Sequence, residues 1–209
     1  MATLQDAVRL SIFPLGGVIL FPGLQLPLHI FEPRYRAMVS DALARDRRIA
    51  MIQPQAPVEG APLFQVGCVG KIVDVEALED GRFNLVLEGF ARFRLIRELD
   101  VTTPFRQVEG SLIVDSENQV LSAIERAGFE REARRFANAQ GYAVDWDSVG
   151  RLDDESLING VSQIAPFDAA AKQALLEAPD LASRCELLVQ LMQFFGRREG
   201  DDDGQVTLQ

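Results

Sequence analysis

The sequence contains few of the residue types that most often carry chemistry. Its 209 residues include one histidine, His29, two cysteines, Cys68 and Cys185, and two lysines, Lys71 and Lys172. A catalytic triad with an imidazole base would have to use His29, and no Gly-x-Ser-x-Gly nucleophile motif occurs. One histidine and two distant cysteines provide no closely spaced set of zinc ligands. We therefore expect no catalytic residue, no metal and no cofactor.

The scarcity of lysine also argues against phosphate binding. A P-loop needs Gly-Lys followed by Ser or Thr. Lys71 follows Gly70 but precedes Ile72 in a strand-like run, and Lys172 precedes Gln173. The formal net charge of −10 disfavours a polyanionic partner, because phosphate binding needs clustered positive charge. ATP hydrolysis through a P-loop and nucleic-acid binding are both disfavoured.

Long apolar runs are missing as well. No window reaches the roughly 18 uninterrupted apolar residues of a membrane span. The first ten residues lack the basic start and apolar core of a signal peptide. We therefore expect a cytoplasmic protein with no membrane contact. Cys68 and Cys185 lie in apolar runs, which favours buried free thiols over a disulfide.

Residues 24–30 alternate between apolar and polar positions. Every second residue from Leu24 to Ile30 is apolar, and the opposite face carries Pro27 and His29. This period predicts a half-buried strand, and Pro27 places it at a sheet edge or a bulge. His29 should therefore point away from the core.

A helical period follows this strand. Pro33 suits the first turn of a helix, where its missing N–H costs nothing. Apolar residues then recur at helical spacing from Tyr35 to Leu43, which predicts one buried face.

The rest of the chain divides into a β-rich part and a helical part. Short strands are predicted over 10–15, 48–53, 63–78, 82–99 and 105–115, with a hairpin turn at Asp80-Gly81 and a bulge or bend at Gly89. Helices follow, with N-caps predicted at Ser116 or Asn118 and at Asp153, Asp168 and Asp180. The expected domains are 1–115, β-rich, and 116–196, a helical bundle, followed by a disordered acidic tail over 197–209.

Three stretches resemble one protein family. They are "IFPLGGVILFPGLQLPLHIFEPRYRAMV" (12–39), "VGKIVDVEALEDGRFNLVLEGFARFRL" (69–95) and "KQALLEAPDLASRCELLVQLM" (172–192). Together they resemble the Lon protease amino-terminal, substrate-binding domain across about residues 10–196. The resemblance implies an α+β fold, with a PUA-like β-barrel that carries an inserted helix, followed by a C-terminal α-helical bundle. It also implies a role in recognising protein substrates, whereas the sequence has neither a P-loop nor room for the protease domain.

These observations leave two functional hypotheses. The first is a non-enzymatic module that engages exposed apolar segments of unfolded or tagged protein clients, with a Lon-type ATPase protease as a further candidate partner. Its candidate contacts are Pro27, Phe31, Glu32, Arg34 and Tyr35, although Phe31 and Tyr35, each taken alone, are more typical of core residues.

Glu32 has a second predicted role, as a structural ion-pair partner of Arg92. The alternative hypothesis is a PUA-like barrel that binds RNA or a small ligand. The candidate RNA contact is "ARFRLIR" (91–97), and the acidic net charge argues against it.

Overall fold

The computed structural model describes residues 3–114 and 120–198. Within these residues the strands are β1 (Thr3–Pro14), β2 (Gln25–Ile30), β3 (Arg48–Ile52), β4 (Val66–Ala77), β5 (Phe83–Leu99) and β6 (Gln107–Val114). The helices are α1 (Pro33–Leu43), α2 (Ala123–Ala139), α3 (Trp146–Val149), α4 (Asp154–Ile164), α5 (Ala169–Glu177) and α6 (Leu181–Arg198). The predicted α+β class is confirmed. No helix in the described ranges is both long enough and apolar enough to cross a membrane.

The strands form one mixed sheet whose order is β2-β5-β4-β3-β1-β6, and β5 also pairs with β6. The strands β5, β4, β3, β1 and β6 therefore pair in a closed cycle, and β2 pairs with β5 outside that cycle. The β1–β3 pair is parallel and the other pairs are antiparallel. β2 lies at the edge, as Pro27 predicted, and His29 is exposed on it. The more specific description as a PUA-like barrel stays a prediction.

Three β-bulges turn apolar side chains outward. The register shifts leave Val73 unpaired in β4, and Phe90 and Ile96 unpaired in β5. All three are exposed. The predicted irregularity at Gly89 is confirmed, and its cause is a close backbone approach: a Cβ at Gly89 would lie 2.1 Å from the Phe21 carbonyl oxygen.

The helices begin where the sequence supplies N-caps. Asp153, Asp168 and Asp180 are confirmed as caps, because each carboxylate accepts a 2.8 Å hydrogen bond from a backbone N–H three residues further on. Ser122 caps α2 in a reciprocal pair with Glu125. The predicted caps Ser116 and Asn118 lie outside the described residues, as does most of the predicted tail, from residue 199 onward.

The sheet and the helices share an apolar core. Phe21, Val66 and Ile113 of the β-rich part belong to the same buried cluster as Phe129 and Leu188 of the helices. A second cluster lies under α1 and includes its predicted inward face. The domain boundary near residue 115 stays a prediction, but burial of apolar surface couples the two parts across it.

Two buried arginines bind carbonyls near the C-terminal end of α5, one from the sheet and one from α6. Arg92 of β5 donates from one guanidinium nitrogen to the Leu176 carbonyl at 2.8 Å and to the Ala178 carbonyl at 2.5 Å. Arg184 of α6 donates to the Leu175 carbonyl at 2.9 Å and to the Asn159 side chain at 2.7 Å. Arg92 thereby binds carbonyls at a helix end, and Arg184 shares the Leu175 carbonyl with the Ala178 N–H.

Candidate functional site

The predicted contact residues at the start of α1 divide into exposed and buried ones. Phe31, between β2 and α1, is 60% exposed, and its ring lies 6.2 Å from that of His29. Tyr35 is only 8% exposed and packs on Phe13, with 4.4 Å between ring centroids. Burial raises the pKa of the Tyr35 phenol, which stays neutral. Phe31 and the exposed Pro27 can therefore meet a partner directly, and Tyr35 supports the surface from below.

Glu32 and Arg34 lie together beside Tyr35. The Nε of Arg34 donates to the Glu32 carboxylate at 3.0 Å, and the guanidinium also pairs with Glu59. The same guanidinium lies 4.7 Å above the Tyr35 ring centroid. Two carboxylates and an aromatic face thus fix the orientation of Arg34.

The predicted ion pair between Glu32 and Arg92 requires correction. Among the ion pairs of the described residues Glu32 pairs with Arg34, whereas Arg92 is buried against carbonyls of the helical part. The reason is position: Glu32 begins a helix whose buried face packs into the second cluster, and Arg92 faces α5. Glu32 therefore orients a surface arginine.

A groove of about 640 Å³ opens beside Arg34 and Tyr35. Its other walls come from the segments 54–60 and 98–106. Its apolar lining includes Val58, Phe105 and four prolines, Pro14, Pro54, Pro57 and Pro104. We call this feature the proline-lined groove. The lining thus combines rigid apolar side chains with a comparable share of polar and charged ones.

The charges in the proline-lined groove occur as arginine–glutamate pairs. Opposite Arg34, the guanidinium of Arg106 donates to both carboxylate oxygens of Glu98, at 2.6 and 2.7 Å. These hydrogen bonds lower the pKa of Glu98 and keep it ionised. Each guanidinium thus has a carboxylate partner, and the exposed Asp100 also lines the groove, so its acidic side chains outnumber its two arginines.

The outer edge of β2 is a poor template for adding a strand. Pro27 has no N–H to donate, and proline occupies strand positions whose nitrogen faces away from the paired neighbour. The side chain of Gln163 in α4 already donates to the Gln25 carbonyl at 3.0 Å. Side-chain contacts therefore offer more than backbone pairing on this face.

The arginines of the segment 91–97 do not form a basic strip. Arg92 is buried, and Arg97 pairs with Glu109 at 2.5 Å. The neighbouring Phe90 is exposed, but one face of its ring meets Arg48, whose guanidinium carbon lies 4.7 Å from the ring centroid, and Phe93 is buried. Stacking of single-stranded RNA uses several exposed aromatic faces along a positive groove, whereas this stretch offers the Phe90 ring alone.

Sequence reasoning missed a second concave feature, in the helical part. This groove has a volume of about 500 Å³ and lies between α2, α4 and the segment 142–149. Its lining is almost entirely apolar and includes Trp146, the single tryptophan of the chain. We call it the helical groove. The only signal in the sequence was the apolar content of "YAVDWDSV" (142–149), which looks like an ordinary connection.

The described residues contain no group of three or more histidine, cysteine or acidic side chains that could hold a metal ion. Cys68 and Cys185 are free and buried. Burial raises the pKa of the Cys68 thiol to about 12 and that of Cys185 to about 11. Both thiols therefore stay protonated and weakly nucleophilic near neutral pH.

Comparison with known proteins identifies relatives of this fold. Residues 9–193 match the family model described as the ATP-dependent protease La (LON) substrate-binding domain. The chain is 29% identical over 203 residues to Lon protease 2 of Sorangium cellulosum and 24% identical over 198 residues to the Lon protease of Escherichia coli K12. These alignments cover 90% of this chain but only 25% of either relative, so the chain spans about a quarter of their length.

Solved structures agree on the fold. A crystal structure of a Lon N-terminal domain protein from Xanthomonas campestris superposes with a TM-score of 0.66 at 22% identity, covering 88% of this chain and 98% of that one. The N-terminal domain of Mycobacterium avium complex Lon protease gives a TM-score of 0.65 at 19% identity, covering 89% of this chain and 98% of that one.

Proposed function

The chain belongs to the ATP-dependent protease La (LON) substrate-binding domain family, and from that premise we propose that it binds exposed apolar segments of protein clients without cleaving them. The observation that carries the proposal is the proline-lined groove, whose apolar walls lie between two arginine–glutamate pairs. A cytoplasmic role in protein quality control, and work alongside a Lon-type ATPase protease, belong to the same proposal.

In this proposal the apolar walls supply the free energy and the ion pairs supply orientation. A client's aliphatic or aromatic side chain gains about 25 cal/mol for each Å² of apolar surface removed from water. Arg34 and Arg106 can share hydrogen bonds with client carbonyls without leaving their carboxylate partners. Pro27 on β2 and the exposed Phe31 just before α1 add apolar surface. Such a surface binds many sequences weakly.

The absence of enzymatic activity is also part of the proposal. The family match covers a substrate-binding domain, and His29, the single imidazole, is an exposed side chain bonded to Asn84 at 2.7 Å. We expect no turnover of ATP or of casein by the purified chain.

Binding of an unfolded protein tests the proposal. We would titrate the chain with fluorescently labelled, reduced and carboxymethylated α-lactalbumin and follow anisotropy. Val58→Ser and Phe31→Ser should each weaken binding about three- to tenfold, because each removes exposed apolar surface. Phe194→Ser, on α6, is the matched control, since Phe194 is 58% exposed against 60% for Phe31.

Two results would overturn the proposal. One is equal loss of binding in the control and in the two variants, which would indicate non-specific adhesion. The other is turnover of ATP or casein that survives repurification. A photo-crosslinker at position 31 or 58 should also capture the unfolded protein, whereas one at position 35 should not, because Tyr35 is buried.

A further inference from the structure

One wall of the proline-lined groove is a loop that is anchored at its base. The two ends of this loop meet in an antiparallel bridge between Pro54 and Leu63. The backbone N–H of Gln55 donates to the Pro62 carbonyl at 2.8 Å, and its side chain donates to the Leu63 carbonyl at 2.8 Å. Leu63 belongs to a buried apolar cluster, so the base of the loop is fixed to the core.

The tip of this loop, residues 56–61, is mostly exposed. Among the hydrogen bonds and ion pairs of the described residues, two tie the tip to other elements, and both come from arginines. Arg34 of α1 pairs with Glu59. Arg106, which directly precedes β6, donates to the Ala61 carbonyl at 3.3 Å. Two different elements therefore hold the tip in place.

Both tethers can break without unfolding the rest of the chain. The Glu59 side chain is 81% exposed and that of Arg34 is 36% exposed, so water and salt weaken their attraction. Arg106 also donates to both carboxylate oxygens of Glu98, so its guanidinium keeps a partner when the tip moves. A loop with a fixed base and weak ties at its tip opens at a low cost in free energy.

We infer that the loop 54–62 is a movable wall, which Arg34 and Arg106 hold in place and which closes on a bound client. Pro57 and Val58 of the tip line the groove, so the position of the tip sets how much apolar surface reaches the client. The first half of the inference concerns the free chain alone. The second half rests on the proposed function, because it assumes that a client occupies the groove.

Cleavage by a glutamyl endopeptidase measures opening of the wall in the free chain. A protease needs a detached, extended segment, so cleavage after Glu59 follows the population of the open loop. Glu79, exposed in the turn between β4 and β5, provides an internal reference in the same digest. Mass spectrometry measures both cleavage rates. Arg34→Met and Arg106→Met should each speed the first cleavage about two- to fivefold relative to the second, because each removes one tether.

Arg97→Met is the matched control for these two variants. Arg97 also pairs with a glutamate, Glu109, but it does not line the groove. Its loss should leave cleavage after Glu59 unchanged relative to Glu79. Added salt should speed cleavage after Glu59 in the unsubstituted chain, because salt screens its pair with Arg34.

Dissociation of labelled, unfolded α-lactalbumin tests closure on a client. After an excess of unlabelled protein is added, the complex of Glu59→Gln should dissociate about two- to fivefold faster than that of the unsubstituted chain. This variant breaks a tether and leaves both arginines available to the client. Val58→Ser should also speed dissociation, but it should leave cleavage after Glu59 unchanged, because it removes wall surface and keeps both tethers.

Three results overturn the inference. Equal cleavage after Glu59 in the two tether variants and in Arg97→Met shows that the arginines do not hold the wall. Faster cleavage without faster dissociation from Glu59→Gln shows that the wall does not close on the client, while an effect of Val58→Ser still supports the proposed function. Absence of α-lactalbumin binding removes the proposed function and the closure together, and cleavage of the free chain still decides the role of the tethers.

Discussion

Replacing Arg92 by methionine should be one of the most destabilising single changes in the chain. Arg92 is buried in β5, and its guanidinium donates to the carbonyls of Leu176 and Ala178 at the end of α5. Methionine is also long and unbranched but donates nothing. Arg92→Met therefore removes the donors and leaves buried carbonyl groups without those partners.

The magnitude follows from these two contacts. A hydrogen bond to a charged group contributes about 1.5–3 kcal/mol, and relief of the desolvation of the guanidinium offsets part of the loss. We expect the free energy of unfolding to fall by about 3–5 kcal/mol for Arg92→Met. For a chain of this size that corresponds to a melting temperature lower by roughly 10 °C.

Urea unfolding followed by Trp146 emission and by far-ultraviolet circular dichroism measures the change. The two probes should report one transition, because the apolar core is shared between sheet and helices. Arg94→Met is the matched control: Arg94 lies two residues further along β5 and is exposed, so its cost should stay within about 0.5 kcal/mol. A cost below about 1 kcal/mol for Arg92→Met, or equal costs for both variants, would refute this account.

Two further predictions concern stability. Gly89→Ala should lower the free energy of unfolding by at least about 2 kcal/mol, because its Cβ would meet the Phe21 carbonyl oxygen. Gly128→Ala in α2 should raise it by up to about 1 kcal/mol, because nothing lies within 4 Å of the added Cβ. Urea unfolding that ranks the two variants in the opposite order would contradict this. The backbone N–H of Ser156 lowers the folded-state pKa of Asp153 below 3.8, so the stability from this cap is present above that pH and lost as the pH falls through the folded-state pKa. Asp153→Ala should thus cost about 1 kcal/mol near pH 7 and less at about pH 2.5, and a cost independent of pH would be inconsistent with an ionised cap.

The elements that the sequence predicts well depend on local rules. The alternation ending at Ile30, the helix start at Pro33 and the turn at Gly81, whose φ is +79°, each depend on a few neighbouring residues. The aspartate caps are equally local. In each case the decisive contact lies within about four residues, so a single sequence contains it.

Arg92 shows why the candidate ion pairs could not be predicted. A strict period of two puts Phe90 and Arg92 on the same face of β5. The bulge at Phe90 resets that period, so Phe90 is exposed while Arg92 is buried. The carbonyls that Arg92 binds among the described residues lie more than 80 residues away, and any residue type would provide such a group. No side-chain pattern could have named them.

The two grooves could not be predicted from the sequence for a related reason. Both are lined by segments far apart in sequence, and each segment has an ordinary local explanation: prolines in a loop, an arginine beside a glutamate, an aspartate before a helix. Backbone outside regular ladders satisfies its hydrogen bonds locally or with water, so loops remain at the surface and enclose concave space between elements. A surface that binds many weakly related segments needs only such space, apolar walls and a bias of charge. Tertiary packing sets the first of these, so a groove of this kind cannot be recognised in any one segment of the sequence.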